Sequence, residues 1–266
     1  MGYHRSRTGM AAPITYVYCI VQRSGRPVLA RVPAGVPDSA GCALLPLEKS
    51  VWAVASRVDA RTYGPGSLDD RLRDPDWLSR VALGHAAVVE HVARMRSATV
   101  VPLKVLTLFS DDDRARRDLL VQRPAWADAL ERVRGCVEWG VRVTSAAVPP
   151  PRRLPSRPSS GAAFLAGKKR SRDQARERSR RVSEAARDAF ERLSRIATES
   201  RSREAPPHAA HPPLLDAAFL VAASRQARFD AAVARVAASC RQAGAELALT
   251  GPWPAYSFVQ SGAAPS

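Results

Sequence analysis

The chain has 266 residues, 45% of them hydrophobic and 25% charged, enough apolar content for one large or two ordinary globular domains and against global disorder. It carries 41 Lys+Arg against 25 Asp+Glu, a formal net charge of +16, which first points to an acidic partner. Of the 41 basic residues, 37 are Arg and 4 are Lys, a bias that genomic codon usage also produces. No run of about 18 apolar residues occurs, which excludes a transmembrane helix by hydropathy. Ile14–Val21 is too short for a secretory core and ends in Gln22 and Arg23, so the expected location is the cytoplasm. Cys19, Cys42, Cys136 and Cys240 form no Cys-x-x-Cys pair, which argues against zinc or redox motifs and for apolar packing roles.

In chain order, residues 1–12 read as a flexible N-terminus. Ile14–Val21 and Val51–Val58 are β-branched and aromatic and predict strands. Asp74 and Pro75 supply an N-cap and a first-turn proline for a helix whose stripe is Leu78, Val81, Ala82, His85, Val88, Val89, Val92 and Met95. Val100–Phe109 returns to strand character. Ser110 and the acidic Asp111, Asp112 and Asp113 read as the cap and first turn of a helix rather than as a metal site. Pro124 opens a further helix through Trp126, Leu130 and Val133, ending near Gly135. Cys136–Thr144 is a strand. Five prolines crowd residues 146–160, which predicts a loop.

One long polar helix then runs from about 161 to 204, with Val182, Ala185, Ala189, Leu193 and Ile196 as its apolar stripe and a poor stripe before Val182. Some 40 helical residues would span roughly 60 Å, more than a small domain, so part of it projects or breaks, Gly167 being the candidate break. Leu214–Ala222 is a strand. A helix through Phe229, Ala232, Val233, Val236, Ala237 and Cys240 follows, with Gly244 as its C-cap. Ala245–Val259 closes the chain with strand character, and 261–266 is a tail. The expected fold is α+β: two small mixed α/β domains, ferredoxin-like or modified ferredoxin-like, at 13–134 and 135–260, the second holding the long basic helix.

Charge is regional. Residues 1–132 carry 19 basic and 14 acidic residues, 133–203 carry 18 and 7, and 204–266 carry 4 and 4. The densest run, Lys168–Arg181, holds eight basic residues against Asp173 and Glu177, with no aromatic interleaved for base stacking. No catalytic constellation is present. His85 sits on an apolar stripe as a core histidine would; His91 lies six residues on, not at metal-chelating spacing; His208 and His211 have no acidic neighbour that would complete a metal site. Glycine-rich phosphate loops and a Gly-x-Ser-x-Gly elbow are absent, and Glu138 beside Trp139 is a lone carboxylate. The expectation is no enzyme, no cofactor and no metal.

Several segments together carry a resemblance: YVYCIV at 16–21, HAAVVEHVARM at 85–95, VVPLKVLTLF at 100–109, VEWGVRV at 137–143, GAAFL at 161–165 and LTGPWPAYSFV at 249–259. In this order and spacing they resemble the GvpL/GvpF family of gas vesicle proteins over nearly the whole chain after the first dozen residues. One departure is clear. Where the family reads Pro-Leu-Arg-Phe-Gly-Thr, this chain has Pro102, Leu103, Lys104, Val105, Leu106 and Thr107, losing the Phe-Gly pair.

The resemblance implies two α/β domains and an accessory or minor structural part in gas vesicle formation. It also implies binding of the small, very apolar shell protein GvpA and other gas vesicle accessory proteins, with the gas vesicle as location and no membrane partner. Two groups are candidates for partner binding: the aromatics Trp253, Tyr256 and Phe258, and the cations Arg176, Arg178, Arg180 and Arg181. Filling of a C-terminal core and a solvated helix face are the plainer readings of each. RNA binding through the basic face is the alternative. The missing Lys/Arg-Gly-Phe/Tyr strand motif and the neutral charge from 204 onward argue against nucleic acid.

Overall fold

The computed structural model describes residues 13–146, 161–203 and 212–259. The expected flexible N-terminus, the tail, all of the proline-rich loop but Ala146, and His208 and His211 lie outside these residues. The described chain forms two compact units, one from the described parts of 1–135 and 254–266, the other from Cys136–Trp253. The chain therefore returns to the first unit at its end.

The first unit starts with β1 (Ile14–Gln22), β2 (Ala43–Glu48) and β3 (Val51–Val58), followed by the short helices α1 (Ala60–Tyr63) and α2 (Ser67–Arg71). Then come α3 (Pro75–Ala93), β4 (Thr99–Pro102), β5 (Leu108–Phe109), α4 (Asp112–Val121) and α5 (Arg123–Val133). The sheet runs β2-β3-β1-β4, with β5 paired to β1. Buried on both faces, β1 is a continuous apolar run rather than an alternating one. On one face Tyr16, Tyr18 and Val54 pack against Trp77, Val81, Val88, Val89 and Val92 of α3. Asp74 caps α3 by accepting from the Asp76 and Trp77 amides at 3.0 and 3.1 Å. Ala115, Leu119, Trp126 and Leu130 bury the apolar sides of α4 and α5.

Three expectations for this unit are corrected. No strand was expected at Ala43–Glu48, where Pro46 interrupts the run; β2 is an edge strand, the one place in a sheet that tolerates a missing amide. The strand expected at Val100–Phe109 is broken, because residues 103–107 turn between β4 and β5. Thr107 donates to the Lys104 carbonyl from both its amide (3.2 Å) and its hydroxyl (2.7 Å), and Leu106 takes a left-handed backbone with φ 64°. The family's glycine position thus keeps a glycine-like conformation without the glycine. Finally, the capping oxygen of α4 belongs to Asp111, which accepts from the Arg114 amide at 2.7 Å, while Ser110 only donates to Asp111.

The second unit comprises β6 (Cys136–Ser145), α6 (Gly161–Ser194), β7 (Glu199–Ser202), β8 (Leu215–Ala222), a 3-10 turn at Ala223–Arg225, α7 (Gln226–Ala243) and β9 (Ala245–Trp253). Its sheet is antiparallel throughout, in the order β7-β8-β6-β9. The element order β-α-β-β-α-β is that of the split βαβ motif. Val141, Val143, Ala217, Phe219 and Val221 face Val182, Ala186, Ala189 and Leu193 of α6 and Phe229, Val233 and Val236 of α7.

Here α6 stops at Ser194, ten residues short of the expected end, and β7 follows. The sequence ESRS has no strand propensity. Backbone pairing with β8 makes the strand, flanked by the Thr198 amide donating to the Leu220 carbonyl and the Arg203 amide to the Asp216 carbonyl, both at 2.7 Å. Gly167 does not break the helix, which runs unbroken for 34 residues, about 50 Å. Strand character at the chain end stops at Trp253, and α8 (Tyr256–Val259) belongs to the first unit. Gly251 has φ 122°, and a Cβ there would lie 2.8 Å from the Glu138 carbonyl, so the Gly-Pro-Trp segment depends on the absence of a side chain.

Candidate interaction surfaces

The unpacked half of α6 is the most distinctive surface of the second unit. From Val182 onward the helix buries about one residue per turn; before it, no described side chain is buried. Ala, Arg and Lys are strong helix formers, so this stretch holds its shape with little packing. Its start exposes Phe164 (56%) and Leu165 (66%), two large apolar side chains that sequence reasoning did not single out. Their signal in the sequence is an aromatic and a leucine just ahead of a basic run.

The four candidate arginines have different environments. Arg178 donates to the Ala146 carbonyl at 3.0 Å and so ties the helix to the end of β6. Arg180 pairs with Glu177 at 3.2 Å and approaches Glu184 at 3.9 Å, and Arg181 approaches Glu177 at 3.9 Å. Glu177 raises the Arg180 pKa through their hydrogen bond, but both groups are solvated and the pair adds little stability. Arg176 has no ion pair among the described residues, and the same holds for Lys168, Lys169, Arg170 and Arg172. The unpaired cations therefore lie in the run up to Arg176, following Phe164 and Leu165.

The three candidate aromatics separate. Trp253 ends β9 with 41% of its surface exposed. Tyr256 is half-buried against the core of the first unit, and Phe258 is fully buried. The Phe258 carbonyl accepts from Arg132 of α5 at 3.1 Å. A partner reaches Phe258 only if α8 detaches, and Trp253 is the most exposed of the three. Near it on the same strand, Leu249 is also exposed. Because β9 pairs only with β6 among the described residues, it is an edge of its sheet.

Several buried polar groups hold the fold together. His85 is 1% exposed; its Nδ1 hydrogen-bonds the Tyr16 hydroxyl at 2.9 Å, and that hydroxyl accepts from the Leu106 amide at 3.1 Å. Tyr18 packs tilted and Tyr16 edge-on against the imidazole, with ring centroids 5.6 and 5.8 Å away. Burial pulls the His85 pKa down to about 4, opposed in part by the Leu103 backbone, so the ring is neutral near pH 7. Glu138 is buried and meets Arg203 at 2.7 Å, while Trp139 Nε1 donates to Gln226 at 3.1 Å. Asp112 takes the Thr15 hydroxyl at 2.7 Å and Arg57 at 2.9 Å, fastening α4 to the sheet. Among the described residues no group of three or more His, Cys, Asp or Glu side chains is placed to hold a metal ion. No described helix is long and apolar enough to cross a membrane.

Comparison with known proteins gives the family and the fold. Residues 14–260 match the family model described as gas vesicle synthesis protein GvpL/GvpF. Over 218 residues the chain is 30% identical to gas vesicle protein L of Streptomyces sp. (strain CB03234), covering 78% of this chain and 79% of that protein. The fold is similar to the crystal structure of GvpF from Anabaena sp. PCC7120, with a TM-score of 0.65 at 14% identity over 96% of this chain and 99% of that one. GvpF from Microcystis aeruginosa gives a TM-score of 0.62 at 14% identity over 94% and 100% of the two chains. At that identity the structural likeness speaks for the fold alone.

Proposed function

This chain belongs to the GvpL/GvpF family of gas vesicle synthesis proteins, and on that footing we propose that it is an assembly factor that binds the apolar shell protein GvpA, limits its aggregation and helps it nucleate. The observation that carries this reading is the unpacked half of α6, where exposed Phe164 and Leu165 precede five cations without ion pairs among the described residues.

The physical case starts from the partner. A shell that keeps liquid water out needs a strongly apolar gas-facing side. A free shell subunit exposes that side and aggregates unless something covers it. Phe164 and Leu165 offer apolar contact. Lys168, Lys169, Arg170, Arg172 and Arg176 attract acidic groups on the same subunit, raising the encounter rate at low salt. Trp253 at the open edge of β9 is a second apolar contact point, suited to strand addition.

Co-expression with the shell protein tests this. The full chain should capture GvpA from the soluble fraction and increase the amount that stays soluble. Replacing Arg176, Arg178, Arg180 and Arg181 by Ser should weaken capture in a salt-dependent way, with most of the loss reproduced by Arg176→Ser combined with Arg172→Ser and Lys169→Ser. Phe164→Ser with Leu165→Ser should weaken capture at every salt concentration. No capture at low salt with both proteins soluble overturns the proposal. Tight single-stranded RNA binding at physiological salt, lost in the same arginine variants, would assign the basic face to nucleic acid instead.

A further inference from the structure

We propose that the first unit carries a binding site for a phosphoryl-type oxyanion at one end of its sheet. The site uses no residue of α6 and does not rest on shell-protein binding. Its position follows from strand register. Gln22, the last residue of β1, lies opposite Val51 at the start of β3 on one side and Thr99 at the start of β4 on the other. The chain leaving β1, the turn before β3 and the turn before β4 therefore meet around one cavity of about 190 Å³.

Donors dominate its wall. Ser24, Ser50, Ser97 and Thr99 contribute four hydroxyls, Arg23 and Arg134 two guanidiniums, and no carboxylate lines it. Among the described residues, none of the four hydroxyls has a hydrogen-bond partner. Arg23 is held in place. Its amide donates to the Ser50 carbonyl at 3.1 Å, its Nε to the Arg96 carbonyl at 3.1 Å and its Nη1 to the Arg26 carbonyl at 3.3 Å. These bonds orient the guanidinium without neutralising it, and it has no carboxylate partner among the described residues. Arg134, which caps α5, is oriented by Gln22 Oε1 at 3.2 Å and by its ion pair with Glu131.

Two of the hydroxyls sit on unusual backbone. Ser50 and Ser97 have φ 67° and 59°, the left-handed region that glycine occupies at no steric cost. Serine at both turns keeps a hydroxyl on the cavity wall where glycine would suit the turn better. Non-glycine residues in this region cluster at ligand clamps.

The donor set selects the ligand class. Hydroxyls and a planar guanidinium fork match the three acceptor oxygens of a phosphoryl group, whereas a carboxylate has one oxygen fewer and leaves donors unused. The shared chemistry is the phosphoryl group, as the free ion or as part of a larger molecule.

Titration of the full chain with inorganic phosphate, AMP and acetate at constant ionic strength, followed by calorimetry, tests the assignment. Saturable one-site binding of phosphate or AMP is expected, with acetate much weaker. Arg23→Gln should weaken it about tenfold, as loss of a charged hydrogen-bond donor does. Since Arg23 also braces the turn, Ser97→Gly is the second variant. Glycine suits the backbone there, so the melting temperature should hold or rise while phosphate affinity falls several-fold. Arg176→Gln on the basic helix should change nothing. AMP binding tighter than phosphate identifies a larger phosphorylated ligand, and phosphate alone identifies the free ion. Acetate binding as tightly as phosphate, no saturation, unchanged affinity in both Arg23→Gln and Ser97→Gly, or an equal loss in Arg176→Gln each overturns the site.

Discussion

The longest helix of each unit, α3 in the first and α6 in the second, uses its length differently. Along its whole course α3 is packed: Trp77, Val81, His85, Val88, Val89 and Val92 are buried between its first and last turns. In α6 the buried positions begin at Val182; before it no described side chain is buried, though Arg178 meets the Ala146 carbonyl. Helix formation is therefore not evidence of burial in this protein. In α3 an apolar stripe makes the helix part of a core; in the first half of α6, intrinsic propensity suffices to keep it helical.

The sharpest way to break this contrast is truncation within α6. Leu193→Ala removes a fully buried side chain and should cost about 3 to 4 kcal/mol in urea unfolding, while Leu165→Ala should change stability by under about 0.5 kcal/mol. Equal effects would mean that the first half is packed after all. His85 tests the depth of the α3 core by pH. Its folded pKa of about 4 lies below the ordinary 6.5, so the unfolded chain binds the extra proton between those values. Stability from this group is complete above pH 6.5, falls as pH drops towards 4, and levels off below, a total of about 3 kcal/mol. Unfolding curves for the parent and His85→Gln should therefore converge with acidification. A constant difference between them would place the imidazole in contact with water.

Glycine separates the helices most cheaply. A Cβ on Gly84 of α3 would stand 2.2 Å from the Gly35 backbone carbonyl, so Gly84→Ala should cost about 2 kcal/mol as α3 is pushed off its loop. A Cβ on Gly167 of α6 meets nothing, and Gly167→Ala should raise stability by about 0.5 to 1 kcal/mol through helix propensity alone. Thermal melts read both signs.

Much of the fold was legible in the residues. The strands at Ile14, Val51 and Cys136 follow β-branched runs, that at Leu215 a short apolar run, and α3 and α7 follow apolar periodicity with Asp74 and Gly244 as their caps. The elements that were not legible owe their form to neighbours. ESRS becomes β7 because β8 offers it a ladder, β2 tolerates Pro46 because it is an edge, and residues 103–107 turn where apolar periodicity alone reads strand. Of the candidate site, the basic run and its position on a helix could be read directly. The i,i+3 and i,i+4 pairs of Arg180 and Arg181 with Glu177 and Glu184 follow from helical spacing, whereas the Arg178 bond to the Ala146 carbonyl joins positions 32 residues apart and does not. The cavity around Arg23 has no sequence signature, because its residues come from four separate places in the chain.

The sequence by itself determined the family, the mixed α/β composition, the main helix starts and the regional placement of the charge. These depend on local propensity, periodicity and residue order. Only the tertiary structure decided that Phe258 belongs to a core while Trp253 meets solvent, that the chain end rejoins the first unit, and that four hydroxyls converge with Arg23. Burial and convergence are properties of pairs of segments far apart in the chain. No local pattern specifies them until the sheets have set which strands are neighbours.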